Sequence, residues 1–415
     1  MAYIDISKIM QFFITHVNSE RNLSFLFGAG ISISYVPAID KITANIENLI
    51  ITSGDTKKNY AWECLKSEAK STSKRFNIEY VFSAISNKLI AIGNETLLNM
   101  SAKELEEFKN YLIAIFNEEI TKNIKPHAGG LYDKIIENSP HLKFAEWLAQ
   151  RNTLKGVDVF TPNYDCLLEL AFESLKIKYF DGFSGGFIPY FDSTAIENCN
   201  YRESDTKLWK IHGSLGWSER KGNIVKLSTD KNKIMILPSS LKYDETKKLP
   251  YAVLLDRLAS SLKTNESTMI ICGYSFNDNH INEIIINSLK NNRSAQVFAF
   301  VYDKEPLNHG EKCNIAELEK CNNKFSAVSG SNFESLCKQS NQITIFGFRT
   351  VIHRGETYVI KMSNCPETPN DDLLYFSYDT EKKPGSSEDI CTGFGELKIC
   401  DFNEMSTFLK KMAGE

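Results

Sequence analysis

The sequence predicts an α/β fold built on a doubly wound parallel sheet. Short apolar runs recur along the chain, and amphipathic helical segments lie between several of them. Four of the runs also end in a polar or glycine-containing cluster, the place where open parallel sheets bind ligands.

The elements follow in chain order. Ile6, Ile9, Phe13 and Val17 make a helical stripe within 5–18, and the strand Leu23–Phe27 comes next. The stretch 41–150 has few strand signals and reads as a helical insertion. In "SAKELEEFKNYLIAIF", Ser101 and Glu104 have capping-box spacing, and Leu105, Phe108, Leu112 and Ile115 form one apolar face. Strand signals return at 157–160, 207–211, 233–237, 268–272 and 296–301, and helices are expected over 165–175, 250–263 and 278–290. Beyond about 310 the runs "ITIFGF", "ETYVIK" and "LLYFSY" alternate between turn residues, and a last helix falls near 402–412. We therefore expect a catalytic unit over 1–310, carrying the insertion 41–150, and a small C-terminal α+β domain over 311–415.

Composition narrows the function. The 415 residues are 42% hydrophobic, enough for a sizeable core, and a net charge of −4 gives no global basic field for nucleic acid. No apolar run reaches about 18 residues, and the opening "MAYIDISKIM" carries no leader pattern. The ten cysteines form no C-x-x-C pair, so no zinc ribbon is expected. These features fit a cytoplasmic protein with reduced thiols and no membrane partner.

The strand-end clusters supply the candidate site. Gly28-Ala29-Gly30 follows the first strand. Without β-carbons, the glycines permit a sharp turn and close approach of a phosphate; an ordinary loop turn is the alternative. Ile33 stands where a third glycine would complete a dinucleotide fingerprint. In Thr161-Pro162-Asn163-Tyr164-Asp165, the Asn163 amide suits a water or a ribose hydroxyl, or else an Asx turn, while Asp165 either caps a helix beginning at Cys166 or touches ligand. His212 ends a strand before Gly213 and Ser214 and is the natural general base; a packed core histidine is the alternative. Cys272 leads into Gly273-Tyr274-Ser275-Phe276-Asn277-Asp278, with His280 a helix residue beside the pocket. The aromatic, glycine-rich loop 179–191 forms either a lid or wall beside the base, or a packed connection.

In this order, GAGIS at 28–32, TPNYD at 161–165, IHGS at 211–214 and CGYSFND at 272–278 resemble sirtuin-like domains. The likeness is closest to the NAD+-hydrolysing branch of bacterial anti-phage defence systems, and it spans roughly residues 20–305. It implies a Rossmann-like sheet with NAD+ as substrate at its carboxyl edge. It implies that Gly28, Ala29, Gly30 and Ser32 cradle the pyrophosphate or nearby ribose. Thr161 and Asp165 are expected to bind NAD+ as well, with Gly273, Ser275 and Asp278 on the adenosine side. Asn163 would orient ribose and water, and His212 would be the base. The zinc cysteines of deacylating sirtuins are missing, and "VPAID" keeps Pro37 without their arginine. The resemblance further implies a ring-shaped ATPase partner of the helicase/translocase type and a homo-oligomer, and it leaves direct nucleic-acid binding open. An NAD+- or ADP-ribose-sensing module without turnover, a deacylase, and a nuclease subunit of a DNA-associated defence complex are the rival readings.

Overall fold

The computed structural model describes residues 3–19, 21–124, 136–151, 154–226, 233–235, 250–302, 336–363, 375–382 and 389–414. Its strands in chain order are β1 (Tyr3–Asp5), β2 (Asn22–Phe27), β3 (Asp158–Thr161), β4 (Tyr179–Phe180), β5 (Phe183–Ser184), β6 (Tyr190–Phe191), β7 (Thr206–Lys210), β8 (Gly213–Arg220) and β9 (Asn223–Lys226). They continue with β10 (Lys233–Met235), β11 (Ser267–Cys272), β12 (Gln296–Phe300), β13 (Ile343–Phe346), β14 (Thr350–His353), β15 (Glu356–Lys361), β16 (Phe376–Lys382) and β17 (Asp389–Leu397).

Alternation along the apolar runs dictates a sheet buried on both sides. In β2, Phe25 and Phe27 face one core while Leu26 faces the other; in β11, Ile270 and Cys272 divide from Met269 and Ile271 in the same way. The helices Ile6–Asn18, Pro140–Gln150, Leu167–Ser174 and Phe402–Met412 cover the first face. The helices Tyr251–Lys263 and Asn279–Asn291 cover the second. Phe25 meets Phe144 and Trp147 edge-on, with ring centroids 5.0 and 5.5 Å apart.

The central order is β13-β12-β11-β2-β3-β7-β4, and every neighbouring pair in it is parallel. The chain winds outward from β2 through β3 to β7, then returns to place β11 on the other side of β2. Winding therefore reverses between β2 and β11, and this is the α/β, Rossmann-like, doubly wound sheet the sequence predicts. Beyond β13 the sheet continues through antiparallel β14, β15, β17 and β16, and β1 joins β15 in parallel. The C-terminal strands thus extend the same sheet, and Phe402 packs 5.2 Å from Phe27. The domain boundary expected near residue 310 lies outside the described residues.

The insertion is built from the helices Ile39–Thr52, Thr56–Ser71, Ile78–Ala91 and Ala102–Thr121 around their own core. The capping box forms: the Ser101 side chain accepts from the Glu104 amide, and Glu104 accepts from the Ser101 amide. On that helix Phe116 is buried and Ile115 only half-buried; the stripe steps by four residues after Leu112, where i+3 spacing was expected. The helix Pro140–Gln150 packs on the main sheet instead of in the insertion.

One expectation is corrected. The run at 233–237 was read with the parallel strands, but Lys233–Met235 pairs antiparallel with β8 in a second sheet, ordered β10-β8-β9-β6-β5; residues 236–237 lie outside the described residues. Lys221 and Gly222, at φ 50° and 78°, make the tight turn between β8 and β9. The loop 179–191 is drawn into the two sheets as β4, β5 and β6. Its Phe183 and Phe191 rings pack against Trp217 at 5.1 and 6.2 Å, while Phe187 is fully exposed.

Candidate functional site

The site grows from the carboxyl ends of β11, β2, β3 and β7, four consecutive strands of the sheet. After β2, the chain makes one 3-10 turn over Ala29–Ser32. Gly28 donates to the Cys272 carbonyl at 3.0 Å and Gly30 to the Gly273 carbonyl at 2.9 Å. A β-carbon on Gly28 would lie 2.4 Å from the Gly273 oxygen and 2.5 Å from Tyr274 Cα; one on Gly30 would lie 2.7 Å from Gly273 Cα. Gly273 itself sits at φ +64°. These three glycines therefore let two strand-end loops touch backbone to backbone. The amides of Gly28 and Gly30 are committed to that contact, so the exposed backbone of Ala29 and Gly30 is the surface the turn presents.

The next cluster is pinned to the first. Thr161 is fully buried; its hydroxyl donates to the Phe27 carbonyl at 2.7 Å and accepts from the Asn163 amide at 3.1 Å. The Asn163 side-chain amide donates to the Gly28 carbonyl at 3.0 Å and reaches Ser32 Oγ at 3.3 Å. Asn163 and Ser32 are both buried, so the amide is a fixed part of the crest above β2 and β3. Asp165 is buried and accepts from the Leu167 amide at 3.1 Å. It satisfies the first amide of the helix Leu167–Ser174, one residue later than the start expected at Cys166.

Beneath this crest lies a buried ion pair that sequence reasoning did not single out. Lys210, the last residue of β7, reaches Glu169 Oε1 at 3.1 Å and donates to the Asp165 carbonyl. Desolvation pushes the Glu169 carboxyl upward against the pull of Lys210, while Glu169 lifts the Lys210 ammonium above its ordinary value although burial opposes it. Two lysines, Lys207 and Lys210, on either side of the apolar Leu208 and Trp209 were the available signal. His141 is also buried, and neither ring nitrogen has a hydrogen-bond partner among the described residues. Burial holds its imidazole down at about 4.

Past β7, Ile211 donates to the Thr161 carbonyl at 3.0 Å, which fixes His212 one residue beyond the aligned strand ends. His212 Nε2 lies 3.2 Å from Asp278 Oδ2, and both side chains are about nine-tenths buried. In the sheet order β3 and β2 lie between the strands that carry these two residues. Three strand spacings amount to about 14 Å, so the loop that carries Asp278 spans the width of β2 and β3 to reach His212. Asp278 also caps the helix Asn279–Asn291 through Oδ1, accepting from His280 and Ile281. Tyr274 is buried, its hydroxyl bonded toward Asp278 and Asn282, and burial pushes that phenol well above its ordinary value. Ser275 is exposed on the same loop. Tyr164 turns the other way and meets Phe116 of the insertion with ring centroids 6.1 Å apart. The helical insertion therefore adjoins this edge of the sheet.

Of the residues the sequence singled out, Gly28, Gly30, Ser32, Thr161, Asn163 and Gly273 are joined by direct contacts, and His212 and Asp278 meet as a separate pair. Among the described residues no group of three or more His, Cys, Asp or Glu is placed to hold a metal, and no helix is long and apolar enough to cross a membrane. No curated protein matches the chain. The segment that supplies β3, β7 and β11 with their strand-end clusters supports the resemblance drawn from the motifs: residues 157–325 match the family described as the SIR2-like domain.

Proposed function

We propose that the chain is an NAD+ glycohydrolase that cleaves NAD+ to nicotinamide and ADP-ribose. The observation that carries the reading is the fixed Asn163 amide on the Gly28–Ser32 turn, with His212 at the end of β7, the strand beside the one that leads to Asn163. The SIR2-like match over residues 157–325 supports an NAD+-related activity.

The chemistry asks for little beyond orientation and one base. The nicotinamide of NAD+ is cationic and leaves as a neutral base. When the bond from ribose C1′ to the nicotinamide nitrogen breaks, its electron pair goes to that nitrogen. A water oxygen forms the new bond to C1′, and its proton passes to His212. The exposed Ala29–Gly30 backbone would take the pyrophosphate side, with Gly273 and Ser275 toward the adenosine. Asn163 holds the ribose and water. Orientation of this kind contributes several kcal/mol to the barrier, and a positioned base about 10²–10⁴-fold.

Asn163→Ala and His212→Ala are each expected to abolish nicotinamide release. Asn163→Ala should remain folded, because the Gly28 carbonyl keeps the Ile31 amide as a donor at 3.2 Å. The test is chromatography of the full chain with NAD+, alone and with the product of the neighbouring gene. Tight NAD+ binding without nicotinamide release under both conditions would replace hydrolysis by the sensing reading. From the resemblance we further propose that the activity serves anti-phage defence by depleting NAD+ in the cytoplasm. In that setting the chain acts as a homo-oligomer with a ring-shaped ATPase partner.

A further inference from the structure

We propose that Asp278 is the positioning residue of His212: its carboxylate accepts the Nε2 proton, fixing the tautomer that keeps the basic lone pair on Nδ1. The kinetic part of this inference rests on the hydrolysis reading above; the tautomer does not.

The geometry divides the carboxylate between two tasks. Oδ2 stands 3.2 Å from His212 Nε2, while Oδ1 accepts from the His280 and Ile281 amides at 3.1 and 3.5 Å. The carboxylate therefore cannot rotate toward a ligand without uncapping the helix Asn279–Asn291. Its backbone is held as well. The Asp278 carbonyl accepts from the Asn282 amide at 3.0 Å and from the Tyr274 hydroxyl at 3.3 Å, and the Asn282 side chain donates to the Phe276 carbonyl at 2.7 Å. Phe276 is buried at φ +55°, a conformation costly for a residue with a β-carbon, which the surrounding bonds maintain. An aspartate fixed this firmly is a poor adenosine contact and a good second partner for an imidazole. When water gives its proton to Nδ1, the ring becomes an imidazolium and the carboxylate stands beside the new charge. No proton needs to reach Asp278 itself.

Two substitutions separate this role from capping. Asn and Ser both cap helices well, so Asp278→Asn and Asp278→Ser keep the Oδ1 task. Asn presents an amide donor to Nε2 and drives the proton onto Nδ1; Ser removes the charge. Both variants should lower kcat for nicotinamide release by about 10²-fold, within the range a positioned base supplies, with KM for NAD+ and melting temperature little changed. A raised KM with kcat retained would assign Asp278 to adenosine binding and overturn the proposal, as would unchanged kinetics. Histidine-selective 15N NMR on the full chain, with His212 assigned by its loss in His212→Ala, gives an independent readout. The neutral ring should carry its proton on Nε2 in the wild type and on Nδ1 in Asp278→Asn. A wild-type proton on Nδ1 overturns the proposal whatever the activity. A wild-type proton on Nε2 in a protein that releases no nicotinamide sinks the hydrolysis reading and leaves the His212–Asp278 assignment standing.

Discussion

Gly28→Ala tests the contact on which the whole crest depends. The added carbon would sit 2.4 Å from the Gly273 oxygen and 2.5 Å from Tyr274 Cα, both backbone atoms, against an ordinary contact distance of 3.4 Å. No flexible side chain can yield, so one loop must retreat by about 1 Å, at a cost of about 1–3 kcal/mol or somewhat more. Across 415 residues unfolding in one transition, the entropy is about 0.9 kcal/mol per kelvin, so even 3 kcal/mol lowers the melting temperature by only about 3 °C. Activity is the sharper readout. The Gly28 carbonyl anchors the Asn163 amide, and Tyr274 belongs to the loop that carries Asp278. Separating the two by about 1 Å misaligns amide and imidazole, a displacement worth about 10²-fold in rate. Initial rates of nicotinamide release and a thermal melt should be compared with those of Gly186→Ala, where the new carbon meets nothing within 4 Å and neither property should move. If Gly28→Ala matches Gly186→Ala in both measurements, the close loop contact is not what holds the site.

Other perturbations have equally definite signs. Lys210→Met leaves the Glu169 carboxylate without its buried partner and should cost about 3–5 kcal/mol; adding Glu169→Leu should restore most of the lost stability in a chemical denaturation series. His141 has its folded-state pKa lowered by burial to about 4, against 6.5 for the free group. The unfolded chain therefore binds the extra proton between those values, so the contribution of His141 is complete above pH 6.5 and is lost as pH falls toward 4, about 3 kcal/mol in all. Measured as melting temperature at pH 7.5 and pH 5, the acid-induced drop should be smaller in His141→Phe than in the wild type; an equal drop would remove His141 as its cause.

The central sheet could be read from the sequence because its strands are written as local apolar runs, each ending at a turn residue such as Gly28, Pro162 or Gly273. The second sheet was hidden. In "HGSLGWSERKGN" the glycines at 213 and 216 interrupt the alternation, and Lys233–Met235 is too short for its run to reveal an antiparallel partner. The site residues were visible as types and positions, but two of their roles depend on non-local contacts. Gly28 reads as a phosphate turn until Gly273 is seen against it. Asp278 reads as an adenosine contact until the fold sets it 3.2 Å from His212. No spacing rule carries either fact, because the partners are brought together by strand order and not by proximity in the chain.

The pairing of β1 with β15 has a consequence for how the protein is made. Tyr3 lies opposite Val359, a separation of 356 residues (359 − 3). A ribosome adding roughly 5–20 residues per second needs about 20–70 s to supply that partner. Through this interval the three residues of β1 wait for β15, so the docking of this strand is a late step of folding, made only once nearly the whole sheet has been synthesised.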